Sequence, residues 1–268
     1  MLRRRLATSA TGAASVALSA RAVVKRFGGV AAVDGVSIEV PRGRIFGLIG
    51  PNGAGKTTLF DMLAGEQRPT SGAILVNGVA VEARPAHARL ALGLARTFQI
   101  PRPFAGMTVV ENVMLGAQRQ SGERIWPNLL ASSRVLREER EARDRAMALL
   151  RFVELENYAL KPARVLSGGQ RKLLELARAL MTEPSLLLLD EPAAGVNPTL
   201  LSVIVDRIGD INRQGVAVLV IEHNMDVIVK LCERVFVMAA GRMLCEGAPE
   251  AVIRDPRVID AYLGGAPT

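Results

Sequence analysis

Gly50-Pro51-Asn52-Gly53-Ala54-Gly55-Lys56-Thr57-Thr58 follows the apolar run Arg44-Ile45-Phe46-Gly47-Leu48-Ile49 and opens a helical pattern, an order of strand, glycine-rich turn and helix that decides the fold. Gly50, Gly53 and Gly55 let the backbone turn without a Cβ in the way, so successive N–H groups converge on phosphate oxygens. A helix starting near Lys56 adds its positive end. Lys56 is expected to reach β- and γ-phosphates, and the Thr57 hydroxyl to ligate Mg²⁺. The match identifies a nucleoside triphosphate site without saying what hydrolysis drives. A bland glycine-rich turn is disfavoured because strand and helix flank the motif on the required sides.

A chain of 268 residues with 49% hydrophobic content suits one large α/β domain, or a core with a smaller lobe, and is too short for two complete nucleotide-binding domains. The net charge of +8 suits nucleic acid, anionic lipid or a phosphate-rich ligand, and charge alone does not choose among them. Aromatic residues at 4% leave few platforms for stacking bases, which lowers the nucleic-acid reading. Cys232 and Cys245 lie in stretches that read as buried helix and strand, so two reduced core thiols in a reducing, ATP-containing compartment are expected. With only His87 and His223 besides, nothing resembles a zinc cluster. No apolar run approaches the roughly 20 residues that span a bilayer, so a membrane role has to come through partners. Arg3 to Arg5 followed by Ala, Ser and Thr superficially resembles a targeting peptide, but polar residues and Gly12 interrupt it. Residues 1–15 therefore read as a flexible basic tail.

Working outward from the phosphate loop, strands are predicted at Val16 to Val24, leading to Phe27 before Gly28-Gly29, and at Val36 to Val40. The helix after the loop runs from Lys56 to Ala64 with Gly65 as its stop. A short strand at Ile74 to Val76 meets the hairpin signal Asn77-Gly78. A strand at Leu94 to Phe98 ends at Gln99, and Pro101 and Pro103 make the next residues a stiff extended connector. Helices are predicted from Thr108 to about Gln118 and, with an amphipathic charged pattern, from Arg134 to Val153; the irregular stretch between them holds Trp126, read as packing. Leu166-Ser167-Gly168-Gly169-Gln170 then opens an amphipathic run from Arg171 to Met181. Ser185 to Leu189 is a strand buried on both faces, and Thr199 to Asn212 a helix. Val216 to Ile221 is another buried strand, followed by a short helix at Met225 to Leu231, strands flanking Gly241 and a helix from Pro249 toward Arg254.

Polar residues at strand ends supply the chemistry. Asp190 is the expected indirect holder of Mg²⁺, and Glu191 beside it can polarise a water for in-line attack on the γ-phosphate. His223 can contact the γ-phosphate and register its loss, and Gln99 can meet the metal and the attacking water. Singly each has a bland alternative: an Asp-Glu pair caps a following helix, a lone histidine is structural, and an isolated glutamine says little. Their shared order with the phosphate loop favours the catalytic set Lys56, Gln99, Glu191 and His223.

With these residues in place, the chain from about Val16 to Gly264 resembles the ATP-binding subunits of ABC transporters. Leu166 to Gln170 matches that family's signature motif, which other P-loop ATPases lack. The resemblance implies an α/β P-loop NTPase fold: a RecA-like core, an antiparallel β subdomain, a helical subdomain at about 99–164, and a C-terminal tail at 265–268. It implies that Phe27 stacks on adenine, that Gln99 is the glutamine loop, that Asp190 and Glu191 form the Walker B pair, and that His223 is the switch histidine. ATP and Mg²⁺ are the implied cofactors, with Thr57, Gln99 and Asp190 as the metal set. Two subunits are expected to close head to tail, so that Ser167, Gly168, Gly169 and Gln170 of one meet the γ-phosphate held by Lys56 of the other.

Ala193-Ala194-Gly195-Val196-Asn197-Pro198, the stretch Thr97 to Phe104 and the tail Pro256 to Gly264 are similar to the branched-chain amino acid importer branch. Asn197 carries no charge, so a cross-dimer role of an aspartate elsewhere in the family is not carried over to it. The implied partners are transmembrane permease subunits, a second identical or homologous ATP-binding subunit and, indirectly, an extracytoplasmic solute-binding protein. The implied location is the cytoplasmic face of the membrane, and no nucleic acid is expected. The alternative, a soluble ABC-type ATPase acting on nucleic acid or the ribosome, is favoured only by the charge and lacks a second ATPase unit or a long coiled-coil insertion. A nucleotide-gated binding module is disfavoured by the intact Glu191 and His223.

Overall fold

The computed structural model describes residues 16–97, 99, 101–118 and 133–263. The first half runs β1 (Val16–Phe27), β2 (Val30–Pro41), β3 (Ile45–Ile49), α1 (Lys56–Ala64), β4 (Ser71–Val76), β5 (Val79–Ala80), α2 (Ala86–Leu90), β6 (Leu94–Arg96), α3 (Val109–Met114) and α4 (Ser133–Phe152). The second runs α5 (Gly168–Met181), β7 (Leu186–Asp190), α6 (Pro198–Arg213), β8 (Ala217–Ile221), α7 (Met225–Leu231), β9 (Arg234–Ala239), β10 (Arg242–Gly247), α8 (Pro249–Ile253) and α9 (Pro256–Leu263).

Two sheets organise these elements. An antiparallel sheet has the order β2-β1-β4-β5, and a six-stranded sheet has the order β10-β9-β3-β8-β7-β6, parallel except for β10. The central strands β3 and β8, and β7 up to its closing Asp190, are apolar without a break because both faces are covered. Ile45, Leu187, Leu189, Val218 and Val220 join the core that includes α5 and α6, while Phe46, Leu48, Leu186, Leu188, Leu219 and Ile221 join the core shared with α1 and the antiparallel sheet. Parallel pairing brings the carboxyl ends of neighbouring strands together: Ile221 stands beside Leu48 on one side and Asp190 on the other. Ligands of open α/β sheets bind at that edge.

Several boundaries follow the sequence reading. Helix α1 spans Lys56–Ala64 and stops at Gly65 with φ of 88°. Asn77 and Gly78 form the two-residue turn between paired Val76 and Val79, both with positive φ. Others need correction. Helix α3 ends at Met114 instead of reaching Gln118, because Gly116 and Ala117 bond back three residues and a Cβ on Gly116 would stand 2.5 Å from the Arg178 carbonyl oxygen. Helix α5 starts at Gly168 rather than Arg171, because Ser167 is its cap. Strand β6 ends at Arg96, and Phe98 and Ile100 lie outside the described residues, as do Trp126 and its stretch 119–132. Helices α2 and α9 were not anticipated.

Candidate functional site

The phosphate loop begins where β3 leaves the sheet. Gly50 has φ of 148°, and a Cβ there would lie 2.1 Å from the Met238 carbonyl oxygen on β9, so only glycine fits. Gly55 has φ of 92° as the N-cap of α1, and a Cβ on it would meet the Ala32 carbonyl oxygen at 2.3 Å. Space around Gly53 is open. No side chain caps α1, which leaves its first N–H groups directed at the loop's concavity. The Lys56 ammonium curls over the loop and donates to the Gly50 carbonyl at 2.6 Å and the Pro51 carbonyl at 2.9 Å, using two of its three hydrogens. Burial lowers its pKa, opposed by the charges of Glu191 and Asp190, which face it. Asn52 and Thr57 are exposed and Thr58 half-buried, so the Thr57 hydroxyl is accessible beside the lysine.

Asp190 ends β7 and is buried. Its Oδ2 accepts from Arg96 Nη2 at 2.9 Å, while Arg96 Nη1 donates to Asp61 Oδ1 at 2.7 Å and pairs with Glu66 at 3.2 Å. This guanidinium, 8% exposed, ties the helix that carries Lys56 to the strand that carries Asp190. Burial raises the Asp190 pKa and the Arg96 bond opposes the rise. The Thr57 hydroxyl, the Gln99 amide oxygen and the Asp190 carboxylate are hard oxygen donors, the set that suits a hydrated Mg²⁺.

Glu191 follows with φ of 47°, left-handed for a residue that has a Cβ. Its N–H donates to the Ile221 carbonyl at 3.0 Å, and its carbonyl accepts from the ammonium of Lys172 on α5. Its carboxylate accepts from Gln99 Nε2 at 2.6 Å and stands 3.0 Å from His223 Nε2. Gln99, Glu191 and His223, from the segments that follow β6, β7 and β8, are therefore brought together. Burial lowers the pKa of Lys172, with the nearby carboxylates Glu222, Glu175, Glu191 and Asp190 opposing that.

Ser167 and Gln170 form a closed capping box: Ser167 Oγ accepts from the Gln170 N–H at 3.3 Å, and Gln170 Oε1 accepts from the Ser167 N–H at 2.9 Å. Ser167 and Gly168 are exposed, and among the described residues no hydrogen bond joins this turn to the phosphate loop. Phe27 ends β1 half-exposed, with the Lys25 ammonium 5.1 Å from its ring centroid. Sequence reasoning missed Arg96, Lys172, Glu222 and Tyr262, whose hydroxyl accepts from the Gly50 N–H at 2.8 Å. For two of them a signal existed: Arg96 is a charge inside an apolar strand, and Glu222 follows β8 as Asp190 closes β7.

Residues 33–194 match the ABC transporter family, and residues 242–267 match the branched-chain amino acid ATP-binding cassette transporters. The chain is 41% identical over 240 residues to a probable branched-chain amino acid transport ATP-binding protein, LivG, of Archaeoglobus fulgidus, covering 90% of this chain and 92% of that protein. It is 39% identical over 250 residues to the high-affinity branched-chain amino acid transport ATP-binding protein LivG of Escherichia coli K12, covering 93% and 98%. Among solved structures, a nucleotide-free ATP-binding cassette from an ABC transporter aligns with a TM-score of 0.81 at 34% identity, covering 93% of this chain and 99% of that one. The ADP conformation of an ATP-binding cassette aligns with the same score and coverage. Glycine-rich loop, strand-end carboxylates and capped signature turn thus stand in a chain that belongs to the ABC transporter family, as an ATP-binding protein of its branched-chain amino acid (LivG) branch.

Proposed function

We propose that this subunit hydrolyses ATP to drive uptake of branched-chain amino acids through permease subunits docked on it at the cytoplasmic face of a membrane. Among the described residues no helix is long and apolar enough to cross a bilayer, so the path for solute belongs to those partners. Phe27 takes the adenine, the Gly50–Thr58 loop takes the phosphates, and Thr57, Gln99 and Asp190 hold Mg²⁺. When bound, Mg²⁺ would neutralise charge on the β- and γ-phosphate oxygens. Glu191 takes a proton from the attacking water as oxygen joins phosphorus and the bond to the β-phosphate oxygen breaks. His223 and Gln99 hold the carboxylate of Glu191 in place and contact the γ-phosphate side. Ser167, Gly168, Gly169 and Gln170 of a second, identical or homologous subunit close the site from outside, and the lobe at about 99–164 passes the closure to the permease.

The observation that carries this reading is the Glu191 carboxylate held between Gln99 Nε2 at 2.6 Å and His223 Nε2 at 3.0 Å. Glu191→Gln keeps the shape and removes the base. Phosphate release should fall by about 10²-fold or more while a fluorescent ATP analogue binds within twofold of wild type. Undiminished phosphate release would remove Glu191 from the role of base. Co-purification of the tagged chain from solubilised membranes should bring down multi-span subunits, whereas RNA in their place would favour the nucleic-acid reading.

A further inference from the structure

The mechanism above gives no role to Glu222, although it is 2% exposed and sits immediately beyond β8. A carboxylate buried that deeply is costly unless hydrogen-bonded. Its two oxygens reach in different directions. Oε1 accepts from the Ala193 N–H at 2.6 Å, two residues beyond Glu191. Oε2 accepts from the His223 N–H at 3.0 Å and the Asn224 N–H at 3.2 Å. Each end is itself fixed: Asn224 Oδ1 caps α7 through the Asp226 and Val227 N–H groups, and the Ala193 side of the link runs on to Asn197, which caps α6. One side chain therefore joins the loop leaving β7 to the backbone of the histidine that faces Glu191 3.0 Å away.

We infer that Glu222 is a positioning residue for ATP hydrolysis: it holds His223 in register with Glu191 and makes the loop from Ala193 to Asn197 move together with the histidine. The inference rests on the assignment of Glu191 and His223 given above. It deepens that assignment by naming what aligns them and by giving the loop between β7 and α6 a route to the reacting end of the site. The residue type follows from the donor pattern. Three N–H groups on two sides need an acceptor at both ends, which a carboxylate supplies and an amide does not, because the NH₂ of Gln would face an N–H on one side. Aspartate keeps both acceptors but is one methylene short of spanning the gap.

His87 and His223 are the only histidines in the chain, and His87 is exposed on α2, so His87→Ala leaves a single imidazole to observe. In that background Glu222→Gln should shift or broaden the His223 ring signals in ¹H–¹⁵N spectra. It should lower kcat about tenfold and leave the dissociation constant of a fluorescent ATP analogue within twofold. A double-mutant cycle separates positioning from general loosening: on a His223→Ala background, Glu222→Gln should cost less than twofold more. Unchanged ring signals, or two losses that multiply in full, would overturn the inference. If Glu222→Gln does not fold, Glu222→Asp must move the same ring signals, and failure to do so is equally decisive. Normal turnover in His223→Ala alone would remove the histidine's assignment, and the inference with it. Impaired turnover in His223→Ala beside normal turnover in Glu222→Gln would remove only the inference.

Discussion

Glu191 adopts a backbone that its side chain disfavours, and the surrounding bonds show what holds it there. Its N–H, its carbonyl and both carboxylate oxygens are engaged, by Ile221, Lys172, Gln99 and His223 in turn. A strain of about 1–3 kcal/mol at such a residue persists only where neighbours over-determine it. A second residue-scale consequence concerns Cys232, whose thiol burial pushes from 9.0 up to about 12. The unfolded chain releases this proton first, so the associated stability is complete below about pH 9 and is lost as pH rises toward 12, at up to about 1.4 kcal/mol per pH unit. Urea unfolding at pH 8 and pH 10.5 should show a steeper loss for wild type than for Cys232→Ala; equal slopes would contradict the assignment. At this scale Gln99, Asp190, Glu191 and His223 were legible because each follows an apolar run that ends in a polar residue. Glu222 was legible only as a polar strand end and not in its role, which lies in the backbone donors around it, one of them 29 residues earlier in sequence.

Helix α1 must be rigid for Lys56 and Thr57 to work, yet it spans only Lys56–Ala64. Part of its support comes from α2, which the sequence did not announce. Arg89 is fully buried, and its Nη1 donates to the Met62 and Leu63 carbonyls at 2.6 and 2.8 Å while Nε donates to the Arg84 carbonyl at 2.9 Å. The Met62 and Leu63 carbonyls belong to the last turn of α1, where the helix cannot satisfy them itself. Replacing Arg89 by Met should cost about 2–4 kcal/mol, since two or more charge-assisted bonds are lost and the carbonyls stay buried. Chemical denaturation reads this directly, and a change under about 0.5 kcal/mol, the range of an ordinary surface substitution, would contradict it. The same element explains a limit of sequence reading. An arginine in a short segment between turns reads as a solvated charge, and only the packing of α2 against α1 makes it a cap. By contrast, the phosphate-loop helix and the buried strands were legible from local pattern, while the ends of α3 and the start of α5 depended on Gly116 packing and on the Ser167 cap.

Across the whole molecule the parallel sheet sets the carboxyl ends of β3, β6, β7 and β8 side by side, so four loops far apart in sequence supply one site. The signature turn is the part this arrangement leaves out. Its capping box satisfies the Ser167 and Gln170 N–H groups, and Ser167 and Gly168 stand exposed beside the first turn of α5. The proposed sharing of one triphosphate between two chains comes only from the family resemblance, because no local sequence pattern states it. The central claim is that ATP held at Lys56 of one subunit is covered by the Ser167–Gln170 turn of another. The measurement that reaches it most directly is hydrogen exchange at that turn in Glu191→Gln subunits within the purified transporter, with Mg²⁺ present and ATP either added or withheld. ATP should slow exchange there by about tenfold or more, equivalent to about 1.4 kcal/mol of added protection. Exchange that stays the same at the turn while ATP is demonstrably bound at Lys56 would contradict the account.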